Sequence, residues 1–100
     1  MMQFSLFYFD DAKLDVREAE KWYKKQKKGL DKRLAEAVKE VLYSIQNNPF
    51  AYELRYKNIR IAYTKIFPFG IHFYVNENKS QIVIIAILHC KKNPAEAKDR

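Results

Sequence analysis

At 100 residues, 48% apolar and 15% aromatic, the chain carries enough hydrophobic mass for one packed core and too little for two, which predicts a single domain over residues 1–100. One cysteine, Cys90, excludes an internal disulfide. No apolar run reaches the length of a membrane span, and Met1-Met2-Gln3-Phe4 lacks a signal-peptide pattern, so a cytoplasmic protein is expected. Nineteen Lys and Arg against 12 Asp and Glu leave a net charge of +7, which points to a polyanion or an acidic protein as partner, or to solubility alone.

Phe4 to Phe9 reads as an aromatic strand paired within a sheet. Asp10-Asp11 stops it and offers an acidic N-cap to a helix. Ala12, Val16, Ala19, Tyr23 and Gln26 share one face of that helix, and Trp22 beside them is expected to pack in the core. The run Lys24-Lys25-Gln26-Lys27-Lys28-Gly29 ends it, with cations near the negative end of the helix dipole and Gly29 as a left-handed cap. A second helix runs from about Leu30 to Asn47, where Leu34, Ala37, Val38, Val41, Leu42 and Ile45 recur at steps of three and four, until Asn48-Pro49 stops it. So short a turn makes the two helices an antiparallel hairpin.

Tyr52 to Tyr56 reads as a short strand, turned at Lys57-Asn58 into the next one. From Arg60 onward the chain is β-branched and aromatic almost throughout, broken by the hairpin connection Asn76-Glu77-Asn78-Lys79-Ser80 and ending at Asn93-Pro94. Ala95 to Arg100 is a short, partly helical polar tail. The fold class is α+β: an N-terminal strand and a two-helix hairpin packed on one face of a three- to four-stranded, mainly antiparallel sheet. The other face is left partly open. An apolar, aromatic surface rimmed by cations suits an acidic amphipathic segment or an added strand.

His89 ends an apolar strand and is a candidate general base; the alternative is an anchor that hydrogen-bonds the Asn93-Pro94 turn. Arg60 either binds phosphate or pairs with Glu53 or a helix carboxylate. Together with Lys91 or Lys92, it would stabilise phosphorane charge in an RNA-cleaving site. His72 alternates with Ile71 and Phe73, so it lies with Tyr74 on the open side as a surface or groove residue. Tyr74, His72, Lys91 and Lys92 are the candidate partner contacts. Adjacent His89 and Cys90 point to opposite faces and no carboxylate spacing completes a ligand set, so neither a metal nor a cofactor is expected. Nothing marks Cys90 as an activated nucleophile, and the lysines of the two helices form a mostly solvated face.

Several spaced residues carry a family likeness: Ala12-x-x-Asp15-Val16-x-x-Ala19-x-x-Trp22-Tyr23-x-x-Gln26-x-x-Gly29-Leu30, Asn48-Pro49, Arg60, Phe67-Pro68-Phe69-x-Ile71-x-Phe73 and Ile85-Ala86-Ile87-Leu88-His89-x-x-Lys92-Asn93-Pro94. This pattern resembles the RelE/ParE superfamily of bacterial type II toxins over nearly the whole chain. The resemblance implies a small basic toxin, of the plasmid-stabilisation type, held in a hetero-oligomer by a cognate antitoxin. Its members are either ribosome-dependent mRNA endonucleases or inhibitors of DNA gyrase. Where the RelE-like branch carries an arginine before its penultimate strand this chain has Phe69-Gly70, and no tyrosine follows Tyr74. The resemblance therefore implies the ParE-like branch and DNA gyrase as target. The alternatives are a RelE-like endoribonuclease using His89, Arg60 and Lys92, and a non-toxic interaction domain of the same fold.

Overall fold

The aromatic run after Phe4 forms strand β1 (Ser5–Tyr8), and the chain turns at once into helix α1 (Asp10–Gln26). The structure, a computed structural model, describes residues 4–91, 95–98 and 100, with backbone alone at 95 and 98. Phe9, in extended conformation, is the N-cap of α1, so Asp10 and Asp11 serve as first-turn charges and not as the expected side-chain cap. Ala12 is buried, Val16, Ala19 and Tyr23 pack beside it, and Gln26 is exposed. Helix α2 (Leu30–Asn47) buries Leu34, Val38, Val41 and Ile45. Gly29 does take the left-handed conformation, at φ +92°, but it starts α2, while α1 ends two residues earlier at an extended Lys27. Pro49 opens a single 3-10 turn, Pro49–Ala51, that leads out of α2.

Four further strands follow: β2 (Leu54–Tyr56), β3 (Ile59–Tyr63), β4 (Phe69–Asn76) and β5 (Gln81–His89), and a short helix α3 (Ala95–Lys98) comes after them. The sheet order is β1-β5-β4-β3-β2, with β1 parallel to β5 and all other pairs antiparallel. The α+β sandwich expected from the sequence is present, and the N-terminal strand completes the sheet at one edge.

One irregularity decides how the sheet is used. Ala86 lies opposite His72 and Ile84 opposite Phe73, so Ile85 is an extra residue and the strand reverses its alternation there. Ile82, Ile84 and Ile87 face the helices, while Val83, Ile85, Ala86 and Leu88 face the other way. Both sets are buried, which is why β5 reads as an unbroken apolar run. The second face is less open than expected, because Ala97 of α3 is buried against it beside Ile59 and Ile85. Among the described residues, no helix is long and apolar enough to cross a membrane.

Candidate functional site

His89 sits where β5 ends and β4 begins, paired in register with Phe69. The strand end is fixed by two hydrogen bonds: Cys90 N–H donates to the Pro68 carbonyl at 2.8 Å, and Lys91 N–H donates to His89 Nδ1 at 3.0 Å. His89 thus anchors the strand end through the Lys91 backbone; the Asn93-Pro94 turn expected as its partner lies outside the described residues. Two hollows meet at the imidazole. The larger, about 340 Å³, opens between α1 and the β4–β5 end and is lined by Asp15, Glu18, Ala19, Trp22, Tyr23, Phe69, Ile87, Leu88 and His89. The smaller, about 100 Å³, lies on the second face among Ile61, Tyr63, Gly70, His72, Leu88, His89 and Cys90.

Bare backbone forms the floor of the smaller hollow at Gly70, where an added Cβ would come within 2.9 Å of Ile61 and 3.3 Å of Tyr63. Further along the same face, His72 Nδ1 lies 2.9 Å from the Tyr56 hydroxyl. Burial first, and the Arg100 charge second, push the His72 imidazole below its usual pKa, with Asp15 opposing in part. Burial likewise raises the Tyr56 hydroxyl. His72 is therefore a buried, neutral side chain beside Tyr56 that lines the smaller hollow, in keeping with the groove placement expected from alternation and not with an exposed surface position.

The outer edge of β5 is closed by an unforeseen device. β1 pairs only as far as Ile84, and beyond it the backbone bonds of β5 go to side chains. The Asp15 carboxylate accepts from Ile87 N–H at 2.9 Å, and Arg100 donates to the Ile85 carbonyl at 2.9 Å. The two side chains also pair with each other through two bonds, at 2.6 and 3.1 Å, with Asp11 nearby at 3.6 Å. An ion pair thus stands in for a neighbouring strand. The bond to Asp15 is the main reason the Arg100 guanidinium holds its proton even more firmly than usual.

Of the candidate catalytic residues, Arg60 and His89 are not brought together. Arg60 donates to the Tyr52 carbonyl and stacks over Phe50 at 5.2 Å, and not on Glu53, which pairs with Arg55. Arg60 lies opposite Phe73 and His89 opposite Phe69, four residues apart on β4, or roughly 13 Å at the rise of a strand. Lys92 lies outside the described residues. Of the candidate partner contacts, Lys91 is exposed, His72 is buried, and Tyr74 is half-buried against Ala97 and Arg100. Among the described residues, no group of three His, Cys, Asp or Glu side chains could hold a metal ion.

Other residues at this end carry little sequence signal. Trp22 is 56% exposed, in contrast to the core placement expected, and stacks edge-on against Tyr23 at 4.9 Å. Ile66 is 86% exposed at φ +73°, a strained backbone for a β-branched residue. Around it, Thr64 Oγ1 donates to the Phe67 carbonyl at 2.6 Å while Phe67 plugs the core beneath Tyr23. The Phe67-Pro68-Phe69 motif marked this loop, but only the backbone shows that Ile66 is thrust out by it.

Three solved structures share the fold. A chain of the chromosomal ParDE toxin–antitoxin system of P. aeruginosa superposes with a TM-score of 0.77 at 16% identity, over 88% of this chain and 97% of that one. A chain of the RelBE2 toxin–antitoxin complex of Mycobacterium tuberculosis gives 0.64 at 15%, over 89% and 93%. The isolated RelE toxin of E. coli gives 0.57 at 15%, over 97% and 95%. No match was found among curated proteins. The family of ParE toxins of type II toxin–antitoxin systems, parDE, matches residues 6–94. With that match spanning the sheet, both helices and the His89 turn, the chain belongs to the ParE toxin family within the RelE/ParE superfamily.

Proposed function

We propose that this toxin acts as a binding module on DNA gyrase and is neutralised in the cytoplasm by a cognate antitoxin. The observation that carries this reading is the separation of the candidate catalytic groups. Arg60 is committed to Tyr52 and Phe50 opposite the middle of β4, and His89 accepts a backbone hydrogen bond opposite its start. Cleaving RNA needs a base within reach of the 2′-hydroxyl and a cation at the developing phosphorane charge. Inhibition by contact needs neither. The exposed Ile66 and the cations around the sheet suit a surface whose work is recognition.

The antitoxin is proposed to cover the second face at the end that α3 leaves clear, where Ile61, Tyr63 and Leu88 surround Gly70, Arg55 lies over Tyr63 at 6.0 Å and the exposed Lys91 follows Cys90 of the lining. A basic rim around an apolar hollow favours an acidic amphipathic segment. Tyr63→Glu should weaken that complex in a folded variant, and an unchanged dissociation constant would move the contact elsewhere.

The target is tested by inducing the isolated gene in a bacterial host while following protein synthesis by pulse labelling and, in parallel, plasmid supercoiling and DNA breaks. Continued translation with lost supercoiling or accumulating breaks supports gyrase. Arrested translation with mRNA cut at the ribosome overturns it in favour of the endoribonuclease. Absence of any growth effect alongside tight antitoxin binding would identify an interaction domain that has lost toxicity.

A further inference from the structure

The larger hollow has a chemistry opposite to that of the surface around it. The protein carries +7 overall, yet no lysine or arginine among the described residues lines this cavity. Its wall is a continuous aromatic series: Trp22 against Tyr23 at 4.9 Å, Tyr23 against Phe69 at 6.2 Å, and Phe69 against His89 at 5.4 Å. His89 Nδ1 accepts from Lys91 N–H, which in the neutral ring leaves the proton on Nε2. Two carboxylates reach the cavity. Asp15 is neutralised by its two hydrogen bonds to Arg100, whereas Glu18 has no ion pair or hydrogen-bond partner among the described residues.

We infer that this cavity receives an arginine side chain of a partner protein, its guanidinium stacked on an aromatic face of the Trp22–Tyr23 pair and paired with Glu18. A planar cation satisfies both the π faces and the carboxylate, and guanidinium sheds water more readily than an ammonium group. Free guanidines offer the same head group, but the walls favour a polypeptide. Leu14 and Trp22, 50% and 56% exposed, sit one helical turn to either side of Glu18 and give apolar footing for the residues flanking the arginine. The site lies between α1 and the sheet and does not depend on which cellular target the toxin inhibits.

Trp22 is the sole tryptophan, so its fluorescence reports on the cavity directly. The probes are the tripeptide Ac-Leu-Arg-Leu-amide, the same peptide with neutral, isosteric citrulline, and agmatine as a free guanidine. The arginine peptide should give a saturable change in Trp22 emission, and the citrulline peptide should bind at least about tenfold more weakly, the usual worth of one charged hydrogen-bonded pair. Glu18→Gln, an exposed helix-surface change, should bring the arginine peptide down to the citrulline level while circular dichroism stays native. Equal binding of the two peptides, no saturable response, or full arginine preference in Glu18→Gln overturns the site. Agmatine binding as tightly as the arginine peptide overturns the assignment to a protein partner.

Discussion

The two faces of the sheet are buried by different means. Under the helices the packing is hydrocarbon on hydrocarbon: Leu34, Val38 and Ile45 of α2 and Ala12 of α1 meet Ile71, Phe73, Ile82 and Ile84. On the second face a thinner apolar layer is joined to polar groups that satisfy one another, Tyr56 with His72 and Arg100 with Asp15. The first arrangement tolerates little change of volume, and the second depends on charge state. Function is therefore expected along the second face and at the exposed α1 rim of the helix-covered one, where contacts can be exchanged without emptying the core.

The largest expected effect tests the helix-covered face. Phe73 is fully buried and packs edge-on against Tyr52 at 5.9 Å. Phe73→Ala should cost about 3–5 kcal/mol through lost transfer energy and the cavity left behind. Urea denaturation measures this directly, and a loss below about 1 kcal/mol would mean that the face collapses freely and is not close-packed.

A second, smaller loss is expected at the ion pair that closes β5. The Asp15 and Arg100 side chains are only 13% and 14% exposed, so Asp15→Ala removes the guanidinium's main acceptor and leaves the Ile87 N–H without its carboxylate. The cost should be about 2–4 kcal/mol, below that of a completely buried pair. In a double-mutant cycle with Arg100→Ala the two losses should fail to add by about 0.5–3 kcal/mol. Strict additivity would show that the two side chains act separately.

These two sites differ in how far the sequence revealed them. Strands, helices and the α1–α2 hairpin follow from local periodicity and turn residues, which one stretch of chain displays by itself. The Asp15–Arg100 pair joins positions 85 residues apart, and no local pattern encodes it. The bulge at Ile85 is equally silent, because it lies inside an apolar run whose residues are buried whichever way they point. Alternation placed His72 correctly beside Tyr74, but its burial depends on Tyr56 arriving from another strand. For the candidate site, His89, Lys91 and the Phe67-Pro68-Phe69 loop were legible as a place, whereas the exposure of Trp22 and Ile66 and the distance from His89 to Arg60 required the tertiary fold.

The acid response separates the two faces again. Because the folded-state pKa of His72 lies below its unfolded value, its contribution is complete above about pH 6.5 and is lost as pH falls toward the folded pKa. Over that window the unfolded chain binds the proton that the fold refuses, so stability should drop with a limiting slope of about 1.4 kcal/mol per pH unit. His72→Gln should flatten the curve of urea midpoint against pH. An undiminished slope in the variant would assign the acid sensitivity to another group.

At the rim, one change should stabilise. Ile66 holds a left-handed backbone that Asn adopts more readily, and its side chain is 86% exposed. Ile66→Asn is expected to gain about 1 kcal/mol in urea denaturation while reducing growth inhibition. Strain kept at an exposed apolar residue is explained if the side chain is used for contact. A stabilised variant with full toxicity would remove that explanation and leave Ile66 without a role.

The smallest expected change of stability belongs to Trp22, although it is the largest side chain on the molecule. More than half exposed and resting on Tyr23 by one edge, it contributes little area that folding removes from water. Trp22→Ala should lower stability by about 0.5 kcal/mol or less, the range of ordinary surface substitutions. The aromatic wall beside Glu18 would nevertheless lose one side, so binding of an arginine peptide, followed by calorimetry in the absence of the fluorophore, should fall much more than stability does. A loss of about 3 kcal/mol or more, the scale of a buried tryptophan, would place Trp22 in the core after all, and the division between a packed face and an exchangeable rim would have to be redrawn at α1.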